Sequence, residues 1–416
     1  MDAANSAFHL DHFSRTIFSS LRRTDQRKWA YAYLNGLLVT QGKKSIRRLA
    51  ATIPSDPTAA QSLRWFVSLS PWDFDLVMEE LTHWVAHHRH HRHRTESVWT
   101  VGRAILPKRG DRSVGVHRYF DLSSGRTVNC QLGLGSFLCV GTARVPVDWC
   151  LYLSPSWTED RDQRREARIP DSEVYRPLWA HALRLVDRLS ARTDSSSAVV
   201  LSDMGDEPDV GHLLNGLARR RRDFVIAIPP HLPVLPVGDG VMGGAAPGSA
   251  KALLSSGSPE DTVVTLSDGR QRVARLQTSL IHLPGVRKGP PYRLFAEVDD
   301  DGAPGPVWLT SLAHSSLARV ASIVALNAET QAVIGCMERD FGLLDFEGRS
   351  LPGWYHHMAL VSAAYTYHRL SGLTQVSSHD GHRGRQSVSD LRSSSGASMK
   401  SYRPPSSVRK STESEY

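Results

Sequence analysis

Ser197-Ala-Val-Val-Leu-Ser-Asp203-Met-Gly205 is a short apolar run, rich in β-branched residues, that ends in a carboxylate and a glycine. Such a run predicts a buried parallel strand delivering Asp203 to its carboxyl end, where ligands and catalytic groups gather in open α/β sheets. A carboxylate becomes chemically useful when others join it, because Mg²⁺ prefers hard oxygen ligands. Asp206 and Asp209 follow closely, Asp111 and Asp121 stand upstream, and Glu329 and Glu347 stand downstream. The four cysteines, Cys130, Cys139, Cys150 and Cys336, form no CxxC pair, so neither a zinc site nor a disulfide framework is indicated. Three of them fall in apolar strand-like segments, where cysteine acts as a small buried hydrophobe. The run His87-His-Arg-His-His-Arg-His-Arg94 suggests zinc or nickel. Consecutive histidines without Cys or carboxylate partners make a loose site, however, and a solvated basic helix end is the stronger reading.

The elements around Asp203 follow from hydrophobic periodicity. Residues 1–95 read as an all-helical N-terminal domain, with helices at Arg27–Leu38, Lys43–Ala50, Ala59–Val67 and Pro71–Val77, the last capped by Ser70. From Ser97 the pattern turns to strands. Val98–Leu106, Ser113–Phe120 and Thr127–Leu134, joined by short turns, predict an antiparallel meander, and Phe137–Leu153 adds further β structure. Val174–Ala191 is amphipathic, with Leu178, Ala182, Leu185, Val186 and Leu189 as its buried stripe. The strand ending in Asp203, a helix over about Asp209–Arg221 and the strand Asp223–Pro229 complete a β-β-β-α-β-α-β order. That order predicts an α/β fold with a ribonuclease-H-like mixed sheet, in which residues near 102–103 approach Asp203. The expected divisions are 1–95, 96–229 for the first part of the sheet domain, 230–314 for a β-rich insertion, 315–374 for closing helices, and 375–416 for a disordered Ser-rich tail.

Composition narrows the setting. Of 416 residues, 40% are apolar and 22% charged, as expected of an ordinary globular chain, and no uninterrupted apolar run suits a bilayer. The start, Met1-Asp2-Ala-Ala-Asn5, lacks a charged region followed by an apolar core, so the expected location is cytoplasmic, without membrane partners. Net charge is +8, and nine Lys/Arg face one acidic residue between Arg15 and Arg48. A basic segment of this kind suggests a polyanion partner, most simply nucleic acid.

Several ordered motifs resemble those of bacterial insertion-sequence transposases of the DDE superfamily. They are Arg22–Trp29, Lys44–Leu49, Phe66–Trp72, Pro107–Val116, Asn129–Gln131, Val147–Trp149, Gly342–Ser350 and Gly353–His357. The similarity runs from about residue 13 to 370, broken mainly within 230–310. It implies a ribonuclease-H-like domain in which three carboxylates hold two divalent cations at a phosphodiester. Double-stranded DNA is the implied partner and a homodimer the implied working state. The implied DNA contacts are Arg22, Arg23, Arg27, Lys28, Lys43, Lys44, Arg47, Arg48, Lys108 and Arg109.

Carried over position by position, the triad is incomplete. Asp203 matches the second carboxylate and is the metal ligand if there is any. The first falls on Gly102 or Arg103, and the third on Gln331, with Glu329 as a shifted substitute and Glu338 where the family has a helical lysine. One misplaced unit charge at ~4 Å is worth roughly 4 kcal/mol at an effective dielectric of ~20, enough to oppose a dication pair. Gly115, Trp149, Gly342 and Trp354 read as framework, and Glu347 and Arg349 as a pair. The expectation is a DNA-binding relative defective in strand cleavage and transfer, with no cofactor. The alternatives are an active Mg²⁺-dependent endonuclease with shifted carboxylates, and a domesticated regulatory or protein-interaction remnant.

Overall fold

The computed structural model describes residues 3–90, 97–122, 124–193, 197–237, 247–284, 289–299 and 301–380. Its N-terminal part is helical: α1 (Ala3–Ile17), α2 (Thr24–Val39), α3 (Ile46–Ala50), α4 (Ala59–Ser68) and α5 (Phe74–His90). α2 buries Tyr33, Leu34, Gly36 and Leu37, the face that its periodicity marks. α5 begins later than expected. Asp73 accepts the Asp75 amide at 2.8 Å, while Ser70 is buried and accepts from Gln26 Nε2 at 3.0 Å, so Ser70 is no cap. The histidine run starts inside α5, and residues 91–96 lie outside the described residues.

The sheet grows outward from β1 (Val98–Pro107). Next come β2 (His117–Asp121), β3 (Arg126–Val140) and β4 (Ala143–Leu151), then α6 (Pro155–Glu159), α7 (Arg161–Glu166) and α8 (Leu178–Arg192). β5 (Val199–Asp203), α9 (Val210–Arg219) and β6 (Phe224–Ile228) follow. β1 runs parallel to β5, with Val101 opposite Ser202, as a ribonuclease-H-like order requires. The expected meander is ordered differently: β1 pairs with β3, not β2. β3 is long enough to take β2 along its first part and β4 along its last, both on the edge away from β1. A turn signal reports where a chain reverses, and says nothing about which strand it then joins.

Residues of the expected insertion extend the same sheet. They form β7 (Pro233–Pro236), β8 (Gly248–Ser249), α10 (Ala250–Ser255), β9 (Glu260–Thr265), β10 (Gln271–His282), β11 (Tyr292–Glu297) and β12 (Val307–Thr310). β12 pairs antiparallel with β6, giving the order β2-β3-β1-β5-β6-β12-β11-β10-β7-β8. Two closing helices remain, α11 (Leu317–Asp340) and α12 (Leu351–Asp380). α11 lies on one face of the sheet, burying Val320 and Ile323 against Val98, Val199, Leu201 and Val225. The alternate residues Val200, Phe224 and Ile226 join the larger core with α8 and α9. Among the described residues α11 alone is long and apolar enough to cross a membrane. Arg319 and Glu329 interrupt it, and it packs on the sheet.

α12 fastens the N-terminal helices to the rest. His356 stacks on Trp72 with ring centroids 3.7 Å apart, and Tyr367 meets Phe13 at 5.3 Å. Tyr33 Oη donates to His357 Nδ1 at 3.1 Å, and His357 Nε2 donates to the Gly342 carbonyl at 2.9 Å. Met1–Leu373 accordingly forms one compact unit, so the divisions at 95, 229 and 314 are not breaks in packing. The backbone of α12 continues six residues into the expected tail, and 381–416 lie outside the described residues.

Candidate functional site: a cleft at the strand ends

A cleft of about 480 Å³ opens at the carboxyl ends of β5 and β6. Arg103 of β1, Tyr119 and Asp121 of β2, Asp203 of β5, Asp206 of the following turn and Gln331 of α11 line it. The three positions matched to a carboxylate triad, 103, 203 and 331, therefore share one cavity. Asp203 Oδ1 accepts the Gly205 amide at 3.1 Å, which fixes the turn after β5. The apolar run before it supplies the burial that holds this strand end rigid.

Arg103 is the centre of the cleft's polar network. Its Nη1 lies 2.6 Å from Asp206 Oδ2, and Tyr119 Oη donates to the same oxygen at 2.8 Å. Arg103 and Tyr119 are themselves 3.0 Å apart. Burial disfavours the charged Asp206, but the guanidinium and the phenol outweigh it and hold the carboxyl below its usual range. Burial pushes the Tyr119 hydroxyl up to about 12, which keeps it a donor. Burial opposes the charge on Arg103 as well. The Asp206 hydrogen bond and charge prevail, with Asp203 adding a further attraction.

Gly102 is the other position at which the resemblance expects a first carboxylate. One step beyond the Val101–Ser202 pair sets Gly102 beside Asp203 and on the same face. A Cβ at Gly102 would stand 3.0 Å from both Thr330 Cγ2 and Ile334 Cδ1. Thr330 Oγ1 also bonds Thr100 Oγ1 at 2.8 Å, clamping α11 onto β1. The space that a carboxylate would need is filled by the helix that carries Gln331. A dication pair does not fit these residues. One carboxylate is already neutralised by a guanidinium, the third position is an amide, and no group of three His, Cys, Asp or Glu side chains among the described residues could hold a metal ion.

The shifted substitutes stand elsewhere. Glu329 pairs with buried Arg144 at 3.0 Å and lines a different cavity, beside Arg270, Arg272 and Cys336. Two residues along a helix turn a side chain through about 200°, so Glu329 and Gln331 cannot face one cleft. Glu347 has Lys43 at 3.7 Å as its partner, not Arg349. Asp209 is exposed at the start of α9, and Asp111 is exposed in the turn after β1. Asp121 does line the cleft, with Ser124 donating to it at 2.7 Å.

The basic residues divide into two kinds. Arg22, Arg23, Arg27, Lys28, Lys43, Arg47, Arg48 and Arg109 are exposed. Arg23 grips Asp25 at 2.9 and 2.8 Å and lies over Trp65, and Lys28 lies 4.8 Å from the Trp29 ring centroid. Lys44 is buried, with Nζ on the Thr40 carbonyl and its amide 2.7 Å from Asp345 Oδ2, so its charge is turned to the protein and not to solvent. Lys108 is committed as well: Nζ donates to the Leu344 and Phe346 carbonyls at 3.0 Å each, and burial lowers it to about 8. Sequence reasoning missed Tyr119. The signal was there, because His117, Tyr119 and Asp121 alternate with exposed Arg118, Phe120 and Leu122.

No curated protein matches the chain. A family model described as DDE superfamily endonuclease matches residues 16–281, from the end of α1 into β10, and so includes Arg103, Asp203 and Asp206. Gln331 and the Gly342–His357 segment lie beyond the matched stretch. With well over half of its length matched, and with a parallel β1–β5 pair presenting Asp203 at the sheet's carboxyl end, this chain belongs to the DDE superfamily endonuclease family.

Proposed function

We propose that the chain is a transposase-like, insertion-sequence-type DNA-binding protein that does not carry out strand cleavage or transfer. The observation that carries this reading is the Arg103–Asp206 ion pair in the cleft that also holds Asp203. Asp121, Asp203 and Asp206 against one guanidinium leave the cleft formally net negative, which repels a phosphodiester unless dications intervene. The exposed cations of the N-terminal helices supply the complementary property, a surface suited to a DNA backbone.

Two assays decide the matter. The protein should retard duplex DNA, with an affinity that falls steeply between low and moderate salt. Supercoiled plasmid incubated with it and Mg²⁺ or Mn²⁺ should stay intact. Nicking that needs the metal and disappears in Asp203→Ala would replace this reading with that of an active enzyme built on Asp121, Asp203 and Asp206. Absence of any retardation at low salt would remove DNA as the partner.

A further inference from the structure

We infer that Arg103 is the resident cation of this cleft: its guanidinium serves as counter-ion to Asp206, and its removal opens a divalent-cation site. The inference rests on the reading above that the cleft holds no dication pair, and deepens it by naming what excludes one.

A metal ion in a carboxylate site neutralises clustered anions, fixes their orientation and accepts lone pairs directionally. Arg103 does all three. Its Nη1 is 2.6 Å from Asp206 Oδ2. Its charge is favoured by Asp206 and, more weakly, by Asp203. Tyr119 closes the arrangement by donating to the oxygen that Arg103 holds, much as an outer hydrogen bond orients a metal ligand. The guanidinium is 19% exposed and the carboxylate 15%, so solvent screens the pair little. Although the cleft is net negative, a dication entering it would meet a fixed positive charge on the Asp206 carboxylate. That leaves only Asp121 and Asp203 as anionic ligands not already paired with a guanidinium. Asp206 Oδ1 is buried and accepts no hydrogen bond from another residue. With Arg103 gone, Asp206 Oδ2 keeps only the Tyr119 hydroxyl and Oδ1 still lacks a donor. A mostly buried carboxylate is then left without its counter-charge, which is unfavourable. A hard cation relieves that deficit.

The test uses full-length, DNA-free protein, so that its failure registers separately from any failure to bind DNA. Mn²⁺ binding is followed by electron paramagnetic resonance and by thermal melting for the wild type, Arg103→Lys, Arg103→Ala and Arg103→Ala combined with Asp206→Asn. The wild type and Arg103→Lys should be indifferent to Mn²⁺. Arg103→Ala should bind it roughly tenfold tighter or more and melt higher in its presence. The double variant should lose that gain. An Arg103→Ala protein that folds only when Mn²⁺ is supplied supports the inference, and one that no cation folds overturns it. Mn²⁺ bound in the wild-type cleft with Arg103 in place also overturns it, as does an Arg103→Ala protein that gains no affinity.

Discussion

At the scale of single residues, two neighbouring positions of β1 oppose a metal centre in this cleft, each in its own way. Arg103 supplies charge, and Gly102 supplies space that α11 has taken up. Gly102→Asp should therefore restore no activity. Thr330 and Ile334 stand 3.0 Å from the new Cβ, and overpacking of this kind destabilises by about 1–3 kcal/mol. Urea unfolding of Gly102→Asp checks this; unchanged stability, or Mg²⁺-dependent nicking, would refute it. His357 carries a second prediction. Buried between Tyr33 and the Gly342 carbonyl, it is held neutral, its pKa lowered to about 4 by burial. The unfolded chain binds this proton below about 6.5 and the native state only near 4, so the unfolded state holds more protons in between. Stability due to His357 is complete above pH about 6.5 and is lost as pH falls towards 4, by about 3 kcal/mol at most. His357→Gln should be less stable at neutral pH and lose less on acidification, read from urea midpoints at both ends of that window. The position of Asp203 was legible from its apolar run and its following glycine. The Arg103–Asp206 pair was not, because its partners are 103 residues apart and neither residue type announces the other.

At the scale of elements, periodicity located most helices and strands, since one buried face imposes a repeat that residue types reveal. β5, α9, β6 and α11 lie where their patterns place them. Strand partnership escaped the same reading: β2 carries strand-like residues whether it joins β1 or β3, and only the length of β3 settles the matter. Basic residues were equally ambiguous, because a lysine that caps carbonyls is indistinguishable in sequence from one that meets solvent. Lys44 and Lys108 tie α2, β1 and the Leu344–Phe346 segment together, whereas Arg47 and Arg48 on α3 are exposed. The two kinds should separate cleanly. Arg47→Ala with Arg48→Ala should keep the melting temperature and weaken DNA retardation, lowering the salt slope by about one per lost phosphate contact. Lys44→Ala should lower the melting temperature and leave the salt slope as it was. A salt slope unchanged by the arginine pair would remove α3 from the DNA surface.

At the scale of the whole molecule, the expected segments up to residue 373 form one unit, because α12 packs both on helices from the opposite end of the chain and on the sheet. Tyr33 and His357 are 324 positions apart, and Trp72–His356 and Phe13–Tyr367 are comparably distant. A chain ending at residue 350 should leave the apolar faces of α1, α2 and α4 uncovered. Its circular dichroism melt should lose cooperativity, whereas a chain ending at 380 should melt like the full protein. A cooperative melt and intact DNA retardation by the shorter chain would show that the N-terminal helices fold alone. The α12 latch also orders events during synthesis. The basic helices leave the ribosome first yet complete their packing last, once residues near 370 have emerged. Premature termination before α12 should then yield a fragment whose N-terminal helices pack incompletely, and which retards DNA less than the full chain does.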